Sequence, residues 1–294
     1  MNILSLDIGG TSIKSALVKK GKLHMMMENS SDGCLGGTHV LRNVMNIIDS
    51  YKNFDAVGIS TTGQVDYING CILYENENIP GYAGTPFKKT ICEKYNTDFY
   101  IENDVNAAAL GEACYGAGKG INDFLCLTYG TGIGGAIVIN HRIYSGMGGF
   151  AGEVGHIITH AEGKKCNCGN FGCYETYASA TALISKAQQY NNSLTNGRLI
   201  FEEFHKGNAQ VASIINEWID EIIYGLISLI HIFNPSHIII GGGIMTQNYI
   251  LDKINEKLPS HTLGGFDNVK VIPAKLGNCA GIYGMASIAS NIQY

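Results

Sequence analysis

The chain predicts a duplicated α/β fold, and two observations carry that reading. Residues 3–8 run apolar and alternating, Gly9-Gly10 breaks them, and residues 13–18 resume a strand pattern. The same order returns after Gly111: a strand at 124–127, a glycine cluster at 130–135, and a second strand at 136–139. Helical periodicity follows each repeat. Each half therefore reads as a sheet covered by helices, with a ligand cleft expected between the halves.

The elements follow in order. A third strand at residues 23–27 completes an opening meander. Val40, Val44, Ile47 and Ile48 fall at helical spacing and lead into a buried strand at 56–59. Thr85-Pro86 offers a capping hydroxyl followed by a proline in the first turn, so a helix is expected from there to Tyr95. A strand at 99–101 leads through Glu102-Asn103-Asp104-Val105-Asn106 into the helix of Ala107, Ala108 and Ala109. Residues 208–233 hold an unbroken apolar stripe, Val211 to Ile227, at i, i+3, i+4, i+7 spacing. Asn234-Pro235 ends that helix. A buried strand at 237–240 runs into Gly241-Gly242-Gly243, and a strand at 269–272 and a helix at 279–292 close the chain. The expected domains are 1–115 plus 276–294, and 116–275.

Composition narrows the function. Hydrophobic residues make up 45% and charged residues 15% of 294, ordinary for a globular enzyme. Twenty basic against 25 acidic residues give −5, with no Lys/Arg-rich run to follow a phosphate backbone, so nucleic acid is not the expected partner. The apolar stretch at 222–233 is too short to span a bilayer and carries His231, so no membrane partner is expected. The nine cysteines are an odd number, and Asp7 interrupts the apolar start. A reducing cytoplasm follows as the expected location, where clustered thiols usually hold metal.

The chemistry concentrates in one stretch. Gly152-Glu153-Val154-Gly155-His156 precedes Cys166-Asn167-Cys168-Gly169-Asn170-Phe171-Gly172-Cys173-Tyr174-Glu175. One imidazole and three thiols can close a tetrahedral structural zinc site, and Glu153 and Glu175 flank it. Buried thiols, or a disulfide with one spare, are the plainer alternatives. Asp7-Ile8-Gly9-Gly10-Thr11-Ser12-Ile13-Lys14 sets backbone N–H groups, a hydroxyl and a lysine around one turn, where an anion can approach bare glycine. Asp7 can face a phosphate-bound magnesium, although ordinary hairpins use the same residues. Gly130-Thr131-Gly132-Ile133-Gly134-Gly135 fits a dinucleotide fingerprint, but a strand follows where that motif requires a helix. A second phosphate hairpin fits better. Asn103 or Asp104 can cap the following helix, and a carboxylate there can instead accept a proton from a sugar hydroxyl.

Together these segments resemble the sugar kinases of the ROK family (repressor, open reading frame, kinase), within the hexokinase–actin–Hsp70 superfamily. The resemblance covers essentially the whole chain. It implies two ribonuclease H-like (actin-like ATPase) domains and ATP-dependent phosphorylation of a sugar, with ATP–Mg2+ and structural Zn2+. It implies Asp104 as the catalytic base, with Asn103, Asp104, Glu153, His156 and Glu175 on the sugar. His156 would also ligate zinc through its other ring nitrogen, beside Cys166, Cys168 and Cys173. Asp7, Gly9, Gly10, Thr11 and Lys14, with Gly130, Thr131, Gly132 and Gly134, would bind the nucleotide's phosphates and magnesium, and Gly242 and Gly243 its adenosine. A homodimer is the implied assembly. Family repressors carry a helix-turn-helix ahead of the first phosphate turn; Asp7 leaves no room for one, which favours the kinase branch over a non-catalytic sugar sensor. Thr62-Gly63 stands where many relatives have Pro-Gly, and Tyr82 near a common tryptophan; both lie in sugar-contacting regions of relatives.

Overall fold

The computed structural model describes residues 1–74, 79–266 and 268–290. The chain forms two compact units, residues 1–122, 138–151 and 278–294 in one and 123–137 and 152–277 in the other. Residues 138–151 group with the first unit, whereas the sequence predicts them in the second domain.

The first unit opens with β1 (Asn2–Ile8), β2 (Ser12–Lys19) and β3 (Lys22–Ser30), followed by α1 (Gly37–Asp49) and β4 (Ala56–Thr61). A small hairpin, β5 (Gln64–Asp66) and β6 (Cys71–Tyr74), precedes α2 (Phe87–Tyr95), β7 (Asp98–Asn103) and α3 (Asp104–Tyr115). The sheet order is β3-β2-β1-β4-β7, antiparallel among the first three strands and parallel from β1 through β4 to β7. Alternation along β1 splits its side chains between faces. Leu4, Leu6 and Ile8 pack in a core with Val40, Val44, Ile47 and Ile48 of α1 and Phe87 and Ile91 of α2.

The second unit begins with β8 (Phe124–Tyr129) and β9 (Ile133–Ile139); β10 (Arg142–Ile143) follows. Then come α4 (Glu175–Ala178), α5 (Ala180–Tyr190), α6 (Gly197–His205), α7 (Ala209–Phe233), β11 (His237–Gly241), α8 (Asn248–Lys257) and β12 (Lys270–Pro273). The second sheet, whose β10 and last two β9 residues are grouped with the first unit, has the order β10-β9-β8-β11-β12 and repeats the first sheet rank for rank: third, second, first, fourth, fifth. That shared order is the ribonuclease H-like topology, present twice. Asn208 caps α7, accepting from the N–H groups of Gln210 and Val211 at 3.1 and 3.2 Å.

The chain closes with α9 (Ala280–Ala289), which returns to the first sheet. It covers the face opposite α1: Ile282, Ala286 and Ala289 pack with Ile3, Ala16, Val18 and Ala56. Its contact with α3 is close enough to exclude side chains. A Cβ at Gly111 would lie 2.2 Å from the Ala280 carbonyl oxygen, and one at Gly284 would lie 1.8 Å from that of Ala107.

Three local expectations change. Pro86, not Thr85, is the residue before α2, and the Thr85 hydroxyl donates to the Tyr82 carbonyl at 2.6 Å instead of capping the helix. The second glycine cluster is mostly strand: the turn is confined to residues 130–132, where the Gly130 N–H donates to Gly132 O at 2.9 Å, and β9 already runs from Ile133. The final helix ends at Ala289, and residues 291–292 of the expected helix lie outside the described residues. The hairpin β5–β6 and the helices α5, α6 and α8 had no assignment from sequence.

Candidate active site

Parallel pairing of β1, β4 and β7 aligns their carboxyl ends. Asp7 is level with Ser60, and Thr61 with Asn103. The Ser60 hydroxyl donates to Asp7 Oδ1, and Lys14 stands opposite Asp7 on β2. Burial raises the Asp7 carboxyl, with the Ser60 hydrogen bond and the Lys14 charge opposing.

The next turn settles which residue caps α3. Asn103 Oδ1 accepts from the N–H groups of Val105 and Asn106 at 2.9 and 3.2 Å, while its Nδ2 donates to Gly63 O at 3.2 Å. Asp104 is therefore freed from capping and sits at the first helical position, its Oδ1 accepting from Val105 N–H at 2.9 Å. The carboxyl is densely surrounded by protein yet keeps part of its surface accessible. Burial first, and then the neighbouring Asp7 charge, push Asp104 up from 3.8 to about 7. A carboxylate tuned to neutral pH is what a general base requires. Tyr82 is different. It is fully buried and hydrogen-bonded to Thr61 Oγ1 at 2.7 Å, at the end of β4.

In the second unit, the ligand atoms of His156, Cys166, Cys168 and Cys173 all lie within 4.8 Å of one another. Cys168 and Cys173 sulfurs are 3.5 Å apart, and Cys166 Sγ is 3.8 Å from His156 Nδ1. Zn–S bonds of about 2.3 Å give tetrahedral edges of about 3.8 Å, so the donor set fits zinc in both chemistry and spacing. Nδ1 faces the thiols, leaving Nε2 toward Glu153 Oε2 at 4.0 Å. Glu175 Oε1 lies 3.3 Å from Cys166 Sγ and 3.7 Å from His156 Nδ1. The sequence thus anticipated a quartet that the fold does assemble.

The glycines separate into two kinds. Gly130 has open space where a Cβ would point, and Thr131 is exposed. At Gly132 a Cβ would stand 2.3 Å from Glu175 Oε2, so that glycine admits a protein carboxylate. Gly242, at φ 113°, would place a Cβ 2.1 Å from Tyr129 O, so its bareness serves the close packing against β8. Gly243 is open. It lines a cavity of about 630 Å3 with Gly130, Thr131, Ile184, Phe201, Ile244 and Gln247 among others, a size suited to a small organic ligand. The α5 and α6 walls of that cavity escaped sequence reasoning, because single apolar residues on amphipathic helices look like core.

Residues 3–292 match the model of the ROK family. The chain belongs to the ROK family. It is 30% identical to a glucokinase of Thermotoga maritima, over 98% of this chain and 97% of that protein. It is 31% identical to the xylose repressor of Bacillus subtilis, over 79% of this chain and 60% of that protein. A ROK family glucokinase from Streptomyces griseus, solved with glucose and AMPPNP, superposes with a TM-score of 0.87 at 30% identity, covering 99% of this chain and 100% of that one. Asp7 and Asp104 lie at strand ends of the first sheet, and Glu153, His156, Glu175 and the thiols lie around the knuckle. Among the described residues, no helix is long and apolar enough to cross a membrane.

Proposed function

We propose that this chain transfers the γ-phosphoryl group of ATP to the 6-hydroxyl of a hexose, an N-acetylhexosamine of the glucose or N-acetylmannosamine type, or a β-glucoside. It is an ATP-dependent carbohydrate kinase. The observation that carries the reading is Asp104 at the start of α3, a carboxyl raised to about 7 by burial and by the neighbouring Asp7 charge. Family membership and the AMPPNP-bound relative support it.

In this reading Asp104 accepts the hydroxyl proton as the phosphoryl group transfers in line. Asn103, Glu153, His156 and Glu175 hold the remaining sugar hydroxyls. Residues 130–132 take the phosphates, and the cavity floored by Gly243 takes the adenosine. The first turn, Gly9, Gly10, Thr11 and Lys14, contributes further phosphate donors. Asp7 would hold the magnesium bound to the nucleotide, which would supply charge neutralisation for the transfer. His156, Cys166, Cys168 and Cys173 would hold one zinc per chain, which would fix the knuckle and supply no chemistry, since four protein ligands leave no open position.

A coupled assay of ADP release across a panel of sugars tests this. Sugar-dependent ADP release with glucose, N-acetylmannosamine, fructose or cellobiose is the expected result. Sugar binding in calorimetry without ADP release from any of them would identify a sensor.

A further inference from the structure

The knuckle and the nucleotide turn are parts of one buried assembly. Tyr174 follows Cys173 directly. Its hydroxyl donates to the Ile222 carbonyl of α7 at 2.8 Å and therefore accepts from the Tyr129 hydroxyl at 2.7 Å. Tyr129 is the last residue before the turn, and both tyrosines are fully buried. One residue further on, Glu175 Oε2 accepts from Ile133 N–H at 3.3 Å on the far side of the turn. Between them, Ala180 N–H donates to Gly130 O at 3.0 Å. Residues 174–180 thus grip the turn before, at and after its bend.

Two glycines show how close the grip is. Only a bare Gly132 leaves room for the Glu175 carboxylate, and a Cβ at Gly225 of α7 would lie 2.3 Å from the Tyr174 ring. The other end of the segment is tied to the metal ligands: Cys173 is the adjacent residue, and Cys166 Sγ contacts Glu175 Oε1 at 3.3 Å.

We infer that the metal knuckle sets the conformation of the nucleotide turn, with Tyr174 as the positioning residue, so that zinc and nucleotide strengthen each other's binding without sugar. The inference rests on the reading that residues 130–132 hold the phosphates. A turn held in its binding geometry spares the ligand the cost of ordering it. Release of the knuckle frees one end of the 174–180 segment and returns that cost to the binding step. Because coupling between two ligands is reciprocal, nucleotide must retain zinc by the same factor.

The test uses the zinc-loaded full chain in sugar-free buffer, with AMPPNP as the probe. Calorimetry should show AMPPNP binding about five- to tenfold weaker in Cys168→Ser and in Tyr174→Phe, the size expected from one or two lost hydrogen bonds. Tyr174→Phe should keep one zinc per chain by elemental analysis. In the wild type, saturating AMPPNP should lower zinc transfer to a chromophoric chelator by a similar factor. Should Tyr174→Phe fail to fold because the Tyr129 hydroxyl is left unpaired, the pair Tyr129→Phe/Tyr174→Phe removes both hydroxyls and takes its place. If Gly130→Val abolishes AMPPNP binding while Cys168→Ser and Tyr174→Phe bind within twofold of wild type, the turn reading stands and the coupling is refuted. A folded wild type that binds no AMPPNP overturns the turn reading, and the coupling with it.

Discussion

Replacing Asp104 with Asn should make the protein more stable and nearly inactive, and the two effects have one cause. In an unfolded chain the carboxyl ionises at 3.8; in the fold it is pushed up to about 7. The folded state therefore binds this proton more tightly. Wild-type stability is greatest below the unfolded value, falls as pH rises from about 4 to about 7, and is flat above. At about 1.4 kcal/mol per pH unit the full loss is about 4 kcal/mol. Asparagine is the same size, still offers Oδ1 to the Val105 N–H group, and has no charge to bury. The assay is thermal unfolding of both proteins at pH 5 and pH 8, without nucleotide or magnesium, whose charge would favour the ionised carboxyl. At pH 8 Asp104→Asn should melt higher by up to about 10 °C, and at pH 5, where only about 1.2 of the roughly 3.2 pH units of loss have accrued, the gap should shrink to less than half of that. Turnover should fall by about 10²–10⁴-fold with sugar affinity little changed, and wild-type kcat/KM should rise with pH through about 7. An equal melting gap at both pH values, or more than roughly a tenth of wild-type turnover in the variant, would refute the account of Asp104 as a charge-strained base.

Two further substitutions separate roles within the glycines. Gly130→Ala meets open space and should weaken nucleotide binding with little effect on sugar, whereas Gly132→Ala strikes Glu175 Oε2 and should weaken both; calorimetry with each ligand distinguishes them, and equal losses in the two variants would sink the distinction. Gly284→Ala gains helix propensity but drives a Cβ to 1.8 Å from the Ala107 carbonyl, a backbone atom that cannot rotate away. Its unfolding midpoint should drop by several degrees, and an unchanged midpoint would mean that α3 and α9 separate freely.

The sequence by itself determined whatever depends on neighbours along the chain. Strand–glycine–strand repeats showed the duplication because alternation and turn residues are local signals. The His/Cys quartet was legible because three of its members fall within eight residues, Cys166 to Cys173, and the fourth only ten residues upstream. The stripe on α7 gave that helix almost to the residue. Tertiary structure decided whatever depends on distant partners. Asp7 and Asp104 are 97 residues apart (104 − 7) and influence each other because β1 and β7 flank β4. The same geometry presents Gly63 O to Asn103, whose side chain takes the cap of α3 in place of Asp104. The resemblance implied that Tyr82 lies in a sugar-contacting region; in the fold its hydroxyl packs against Thr61 and the side chain is buried. Gly132 and Gly242 carried the signature of a ligand turn. A glycine records only that something approaches closely, and whether that is phosphate, a carboxylate or another strand's carbonyl is fixed by which segments the sheets bring together.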